Sequence, residues 1–316
     1  MGGRFKWFLA AVTVAATLPL GAQRPRRVLL LYDMEGISEA TSGAHVRNGT
    51  PEYAQARVSL TADVNAAIAG LKAAGVTEIV VVDGHGSGNA TEPDVLEDKL
   101  LPPARVISRD APFDIYMDSY DTSFDAIVAI AMHAGAGNAA GFLSHTYSGR
   151  GLRYTVNDQP FNETMILAMG GARYKIPLVA ASGDDELEKE LQRHLPWVQY
   201  AMVKHAVDRT KAEPLPRAEI DRRITGAVRA GIEKIAAARL PVVPGPYRFA
   251  ITFRDEEAAK LAAERAGSGF LREGATVRAT ATAFDDGYRQ SIRLYGSGLS
   301  TTPPPPGRYW GARDGH

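Results

Sequence analysis

The feature that most constrains this chain is a strand-like run that stops abruptly on acids. Val28-Leu29-Leu30-Leu31-Tyr32 is apolar throughout and leads straight into Asp33-Met34-Glu35-Gly36. A continuous run of mostly branched apolar residues reads as a strand buried on both faces, the pattern of a parallel sheet. In open α/β sheets, ligands bind beyond the carboxyl ends of the strands. Asp33 and Glu35 lie two apart, so an extended backbone presents both to one side. Two carboxylates held there repel unless a cation or a shared proton sits between them.

The same grammar returns twice. Thr50 and Pro51 are N-cap and first-turn residues, and Tyr53, Leu60, Val64, Ile68 and Leu71 recur at helical spacing until Gly75. Glu-Ile-Val-Val-Val-Asp over 78–83 is then a second buried strand, so strand, helix and strand form a βαβ unit with a parallel sheet at its centre. That strand runs into Asp83-Gly84-His85-Gly86-Ser87-Gly88, where the glycines bend the backbone and leave His85 accessible. A weaker strand over 104–107 leads to the apolar run 125–132, which stops on His133. Three parallel strands thus deliver Asp33 and Glu35, His85 and His133 to one edge. Together these are ligands of borderline and hard divalent ions such as zinc, manganese or cobalt.

Two rival readings of the glycine-rich loop fail on sequence. It is not Gly-x-Gly-x-x-Gly opening a helix, so it makes no dinucleotide fingerprint. His-Gly-Ser-Gly looks like an α/β-hydrolase oxyanion loop, but the chain has no Gly-x-Ser-x-Gly elbow to accompany it. The absence of cysteine removes disulfides, thiolate ligands and thiol nucleophiles, and a formal net charge of zero offers no basic field to nucleic acid. With 316 residues the chain can build one large or two moderate domains.

Arg4 and Lys6 precede an uncharged run over 7–20, and Gly21-Ala22 follows. That is the layout of a secretory signal, so 1–22 is expected to be removed and the protein to be exported, to a periplasm or the exterior. Leu20 and the basic Arg24-Pro25-Arg26-Arg27 leave an uncleaved anchor as the alternative. After cleavage no stable membrane insertion is expected. At the other end, the tail 301–316 opens on Thr-Thr and four prolines, which cannot continue helix or sheet.

Between these ends, 23–205 is expected to form an α/β domain and 206–300 a smaller α+β unit. In the first, Ser144-His145 supplies another histidine, 151–156 reads as a strand, and Asn157-Asp158-Gln159-Pro160 as a turn. A helix follows with Glu163 in its first turn, where a carboxylate also suits the helix dipole. Then come a strand over 176–181 and an N-cap at Gly183-Asp184-Asp185. In the second unit, 216–238 is an amphipathic helix, 247–253 and 276–282 alternate like half-buried strands, and 255–266 and 285–295 look helical. This unit is expected to line a substrate pocket or an oligomer interface. His45, His194, His205 and His316 have no motif around them and read as surface or structural residues.

Asp33-Met34-Glu35-Gly36, Asp83-x-His85, His133-Ala134, Ser144-His145, Asn157-Asp158-x-Pro160-x-x-Glu163 and Gly183-Asp184-Asp185, in that order, resemble the DppA-type zinc D-aminopeptidases. The resemblance runs over 28–204. It implies a two-zinc site in which Asp33 bridges both ions, Glu35 and His133 complete one and His85 and Glu163 the other. His145 matches the family's catalytic histidine, within a loop over 134–141 that is somewhat longer and richer in glycine than the family's. The implied substrates are short peptides with an N-terminal D-residue, and a homo-oligomer is expected. The residues themselves leave the role of His145 open among proton transfer to the leaving amine, nucleophilic attack and oxyanion stabilisation. Two rivals remain at this level: a two-metal phosphodiesterase or other amidohydrolase, and an exported metal- or peptide-binding protein with no chemistry. A phosphodiesterase would want Lys or Arg near the metal, and none adjoins the strand ends in sequence.

Overall fold

The computed structural model describes residues 27–85, 93–107, 114–119 and 121–296. The expected signal segment 1–22 and proline-rich tail 301–316 lie outside the described residues, as does His316. Among the described residues no helix is long and apolar enough to cross a membrane.

The expected βαβ unit opens the fold. Strand β1 (Arg27–Tyr32) leads through a loop to α1 (Pro51–Ala73), then β2 (Glu78–Asp83), β3 (Ala104–Val106) and β4 (Ala126–Met132). Thr50 caps α1 by accepting the Tyr53 amide, with Pro51 at its first position. Next come a short hairpin of β5 (Arg153–Val156) and β6 (Gln159–Pro160), helix α2 (Glu163–Ala172), β7 (Leu178–Asp184) and α3 (Asp185–His194). Asn162 and Asp184 cap α2 and α3. β8 (Gln199–Asp208), β9 (Lys211–Pro214) and α4 (Arg217–Glu233) follow, then β10 (Tyr247–Thr252), α5 (Glu256–Ala266), β11 (Leu271–Glu273), β12 (Thr276–Ala281) and α6 (Phe284–Arg293).

A seven-stranded sheet in the order β3-β2-β1-β4-β7-β8-β9 is parallel except for β9. Its central strands are buried along their whole length, which is why they read as unbroken apolar runs. Alternate residues of β1 serve opposite faces. Val28, Leu30 and Tyr32 join the core under α1 and α4, whereas Leu29 and Leu31 join the core shared with α2 and the second sheet. Gly70 lets α1 and α4 approach closely: a Cβ there would lie 2.6 Å from the Thr225 carbonyl oxygen.

The smaller unit differs from expectation in where it begins. Residue 205 falls inside β8, and β9 and α4 belong to the large sheet and the layer beside α1, so 206–233 stays with the first unit. The second, five-stranded antiparallel sheet has the order β11-β12-β10-β5-β6 and borrows its last two strands from the first half of the chain. Spacing along the sequence carries no information about that pairing, which joins Thr155 to Ala250.

Candidate metal centre

At the carboxyl ends of β1, β2 and β4 the six expected side chains come together. Asp33 follows β1 directly and Glu35 lies in the turn behind it, not on an extended strand. The turn is wedged against β4: the Gly36 amide donates to Ala131 O at 2.8 Å, and a Cβ on Gly36 would fall 2.0 Å from Met132 O. Ala131 itself sits at φ 60°, beside a register shift between β4 and β7, and the bulge aims His133 into the cluster. Glu163 arrives from the other direction, at the first position of α2. His145 lies on a loop whose Leu143 and Tyr147 both take positive φ, 49° and 62°.

The three histidines share one arrangement. Nδ1 of His85 meets Asp94 Oδ2 at 3.0 Å, that of His133 meets Ala134 O at 3.0 Å, and that of His145 meets Leu143 O at 2.9 Å. An oxygen acceptor at Nδ1 places the proton there, so each Nε2 faces the centre with its lone pair. His133 Nε2 stands 3.4 Å from Asp33 Oδ2 and 3.5 Å from Glu163 Oε2, His85 Nε2 is 3.6 Å from Glu35 Oε1, and His145 Nε2 is 3.8 Å from Glu163 Oε1. The His133 and His145 rings stack, centroids 4.2 Å apart.

Buried carboxylates and imidazole lone pairs facing one another at these distances need positive charge between them. Among the described residues Glu35 Oε2 and His133 Nε2 are buried without a hydrogen-bond partner, so those residues alone leave the cluster unsatisfied. Its donors fit a divalent cation: Asp33, Glu35 and His133 converge as one set of three, and His133, His145 and Glu163 as another. The grouping differs from the one implied by resemblance: His85 faces Glu35 rather than Glu163, His133 belongs to both sets, and His145 takes the place beside Glu163.

Without a cation, protons would fill the role. Burial opposes charge on His85 and His133, but the carboxylates of Glu35 and Asp94 at the first, and of Glu163 and Asp33 at the second, hold both well above the usual range. Burial pushes Glu35 and Glu163 up, yet His85 holds Glu35 well below its ordinary value and His133 holds Glu163 down at about 2. Asp33 goes the other way, raised well above its usual value by burial and by Glu35. His145 is lowered by burial and by neighbouring His133, so its imidazole is neutral near pH 7.

The outer support was largely invisible in sequence. Asp94, fully buried, orients His85. Tyr116 donates its hydroxyl to Glu163 Oε2, and the Tyr147 amide donates to Glu163 Oε1 at 2.5 Å. Glu190 on α3 accepts from the Gly135 amide at 3.0 Å, from Asn138 Nδ2 at 2.9 Å and from Asn162 Nδ2 at 2.7 Å, tying the loop after His133 to the cap before Glu163. Lys204 on β8 is wholly buried and donates to the carbonyls of Glu35, Ile37 and Ala40 at 2.6, 3.0 and 3.1 Å, with its ammonium over the Phe142 ring. Burial brings its pKa down to about 7, against the pull of Asp184, Asp63 and Glu35. Asp63 on α1 pins the same loop through the Ser38 amide and hydroxyl, at 2.8 and 2.9 Å.

A pocket of about 680 Å³ opens over Glu35, His85 and His145, with Arg47 and Arg209 in its walls. The cations missing from the sequence beside the strand ends are therefore supplied by distant loops. His45 bonds Ser42, His205 pairs with Asp185, and His194 lines a separate cavity.

A parallel sheet whose strand ends gather histidines and carboxylates around an unsatisfied centre, open to a pocket, defines a metal-dependent hydrolase. Comparison with known proteins names the family. Residues 27–291 match the family model described as D-aminopeptidase, and the chain belongs to that family of peptidases. It is 30% identical over 200 residues to the D-aminopeptidase of Bacillus subtilis (strain 168), covering 63% of this chain and 71% of that protein. Its structure resembles that of the Zn-dependent D-aminopeptidase DppA from Bacillus subtilis, a self-compartmentalizing protease, with a TM-score of 0.77 at 25% identity over 86% of this chain and all of the other.

Proposed function

We propose that this enzyme is an exported aminopeptidase that hydrolyses short peptides with an N-terminal D-residue, using two divalent cations, zinc by preference. Asp33, Glu35, His85, His133 and Glu163 would hold them, and His145 would serve the reaction without being a required ligand. The observation that carries the reading is the buried cluster itself, with Glu35 Oε2 and His133 Nε2 unpaired at its centre among the described residues. When bound, such cations polarise the amide carbonyl and lower the pKa of a water toward neutrality.

The protein's own part centres on His145. Its Nδ1 proton is committed to Leu143 O, so Nε2 is the free base facing the cluster. Burial and His133 keep it neutral, ready to accept a proton and pass it to the leaving amine. This favours proton transfer among the three roles open to it. Glu163, gripped by Tyr116 and the Tyr147 amide, fixes the wall against which His145 stands. Export rests on the 1–22 pattern, and homo-oligomeric assembly on the likeness to a self-compartmentalizing protease.

The test is metal content of the purified chain, measured with hydrolysis of D-alanyl and L-alanyl dipeptides. About two metals per chain with D-selective release is the expected result. His145→Ala should keep its metal and lose about 10²-fold or more in kcat. Metal with no peptidase activity would overturn the assignment of substrate, and no metal after reconstitution would overturn the site.

A further inference from the structure

Nothing in that mechanism uses the two arginines of the pocket. Arg47 comes from the loop between β1 and α1, and Arg209 from the turn between β8 and β9. Both are exposed, and Arg47 forms no ion pair among the described residues. Arg209 gives Nε and Nη2 to the Ser144 carbonyl at 3.2 and 3.1 Å, next to His145, and among the described residues no hydrogen bond engages its Nη1. Among the described residues the one acid lining the pocket is Glu35, on its floor and within the cluster. The mouth of the site is therefore cationic, with its acid committed below.

Two guanidinium groups flanking a catalytic floor reward a substrate that carries an anion a short way from the reacting bond. A peptide spans at most about 3.5 Å per residue, so a free α-carboxylate lies that near the scissile amide only in a di- or tripeptide. In a longer chain the same place is taken by a neutral amide, whose carbonyl accepts a weaker hydrogen bond and brings no charge to the guanidinium. We infer that Arg47, assisted by Arg209, binds the C-terminal carboxylate of the substrate and makes the enzyme select di- and tripeptides by length. This rests on the peptidase reading above and names the part of the substrate that the pocket recognises.

The experiment uses the zinc-loaded full chain and three substrates: D-Ala-Gly, D-Ala-Gly amide, and D-Ala-Asp amide, which carries its carboxylate on a side chain. The free acid should exceed its amide by about 10- to 100-fold in kcat/KM, mostly through KM. In Arg47→Gln that ratio should fall to about threefold or less, and Arg47→Lys should retain part of it. The readout is a ratio within one preparation, so a partly misfolded variant or a displaced His145 in Arg209→Gln does not confuse it. Equal turnover of acid and amide by the wild type, or a ratio unchanged in both Arg47→Gln and Arg209→Gln, would overturn the inference. Turnover of D-Ala-Asp amide matching D-Ala-Gly would overturn it in favour of an acidic side chain. Hydrolysis of none of the three would overturn the peptidase reading, and this inference with it.

Discussion

Replacing Lys204 by Met would keep the bulk of a fully buried side chain while removing its charge and its donors. The structure lets the cost be worked out. Ile37 O also accepts from the Ala40 amide, but Glu35 O and Ala40 O have no other donor among the described residues. Each buried carbonyl left unpaired costs about 1–3 kcal/mol, so the two together lose about 4 kcal/mol. Removing a buried ammonium, whose pKa already sits near 7 because burial disfavours its charge, returns about 1–2 kcal/mol. The expected net loss is about 2–3 kcal/mol, or roughly 4–9 °C in Tm for a chain of this size. Because the loop released is the one that carries Glu35, zinc affinity should fall as well, by about 10- to 100-fold. Thermal unfolding of metal-free and zinc-loaded protein, with competition against a chelating dye, measures both. A variant that melts within about 2 °C of wild type and binds zinc as tightly would refute the role given to Lys204.

Three further outcomes are expected. Glu190→Ala should weaken zinc retention by about 10-fold, because it frees both the loop after His133 and the cap before Glu163, and calorimetric titration would show no change if Glu190 were merely a surface acid. Asp114 is raised to about 7 by burial and by Asp118, against Arg289. A carboxyl whose folded value lies above its unfolded one contributes stability present below pH ~4 and lost as pH rises through ~7. Asp114→Asn should therefore gain about 1–2 kcal/mol on wild type between pH 5 and 8 in urea unfolding, and parallel pH profiles would refute the assignment. Stripping the metal with a chelator should lower Tm, since a ligand at about a thousand times its Kd stabilises by about 4 kcal/mol, and re-adding zinc should restore it. An unchanged Tm would mean that the cluster binds nothing.

Much of the site was legible because buried parallel strands announce their own ends. β1, β2 and β4 are buried along nearly their whole length, so the polar residues at their ends stand out: Asp33 after β1, Asp83 closing β2 with His85 two residues on, and His133 after β4. Thr50 and Asp184 were readable for a local reason too, as each caps the helix that starts at the next residue. What stayed hidden acts across distance. Lys204 sits in a strand whose later residues are half-exposed, and nothing in its neighbours distinguishes a buried cation from a surface one. Asp94, Glu190 and the two pocket arginines are ordinary charged residues until the fold turns them toward the centre. The displaced boundary of the second unit has the same origin: β8 alternates toward one edge of the sheet, and its polar tail imitates the end of a domain.

The borrowed hairpin of β5 and β6 sets an order of assembly. Glu163 opens the helix that follows β6, yet β5 is sealed only when β10 lies beside it, with Thr155 opposite Ala250. Every proposed metal ligand has left the ribosome long before β10 has. A chain cut short after α4 would carry every proposed ligand and still lack the strand that pairs with β5, two elements before Glu163. The unit that holds none of the proposed ligands thus acts as a latch on the one that holds all of them.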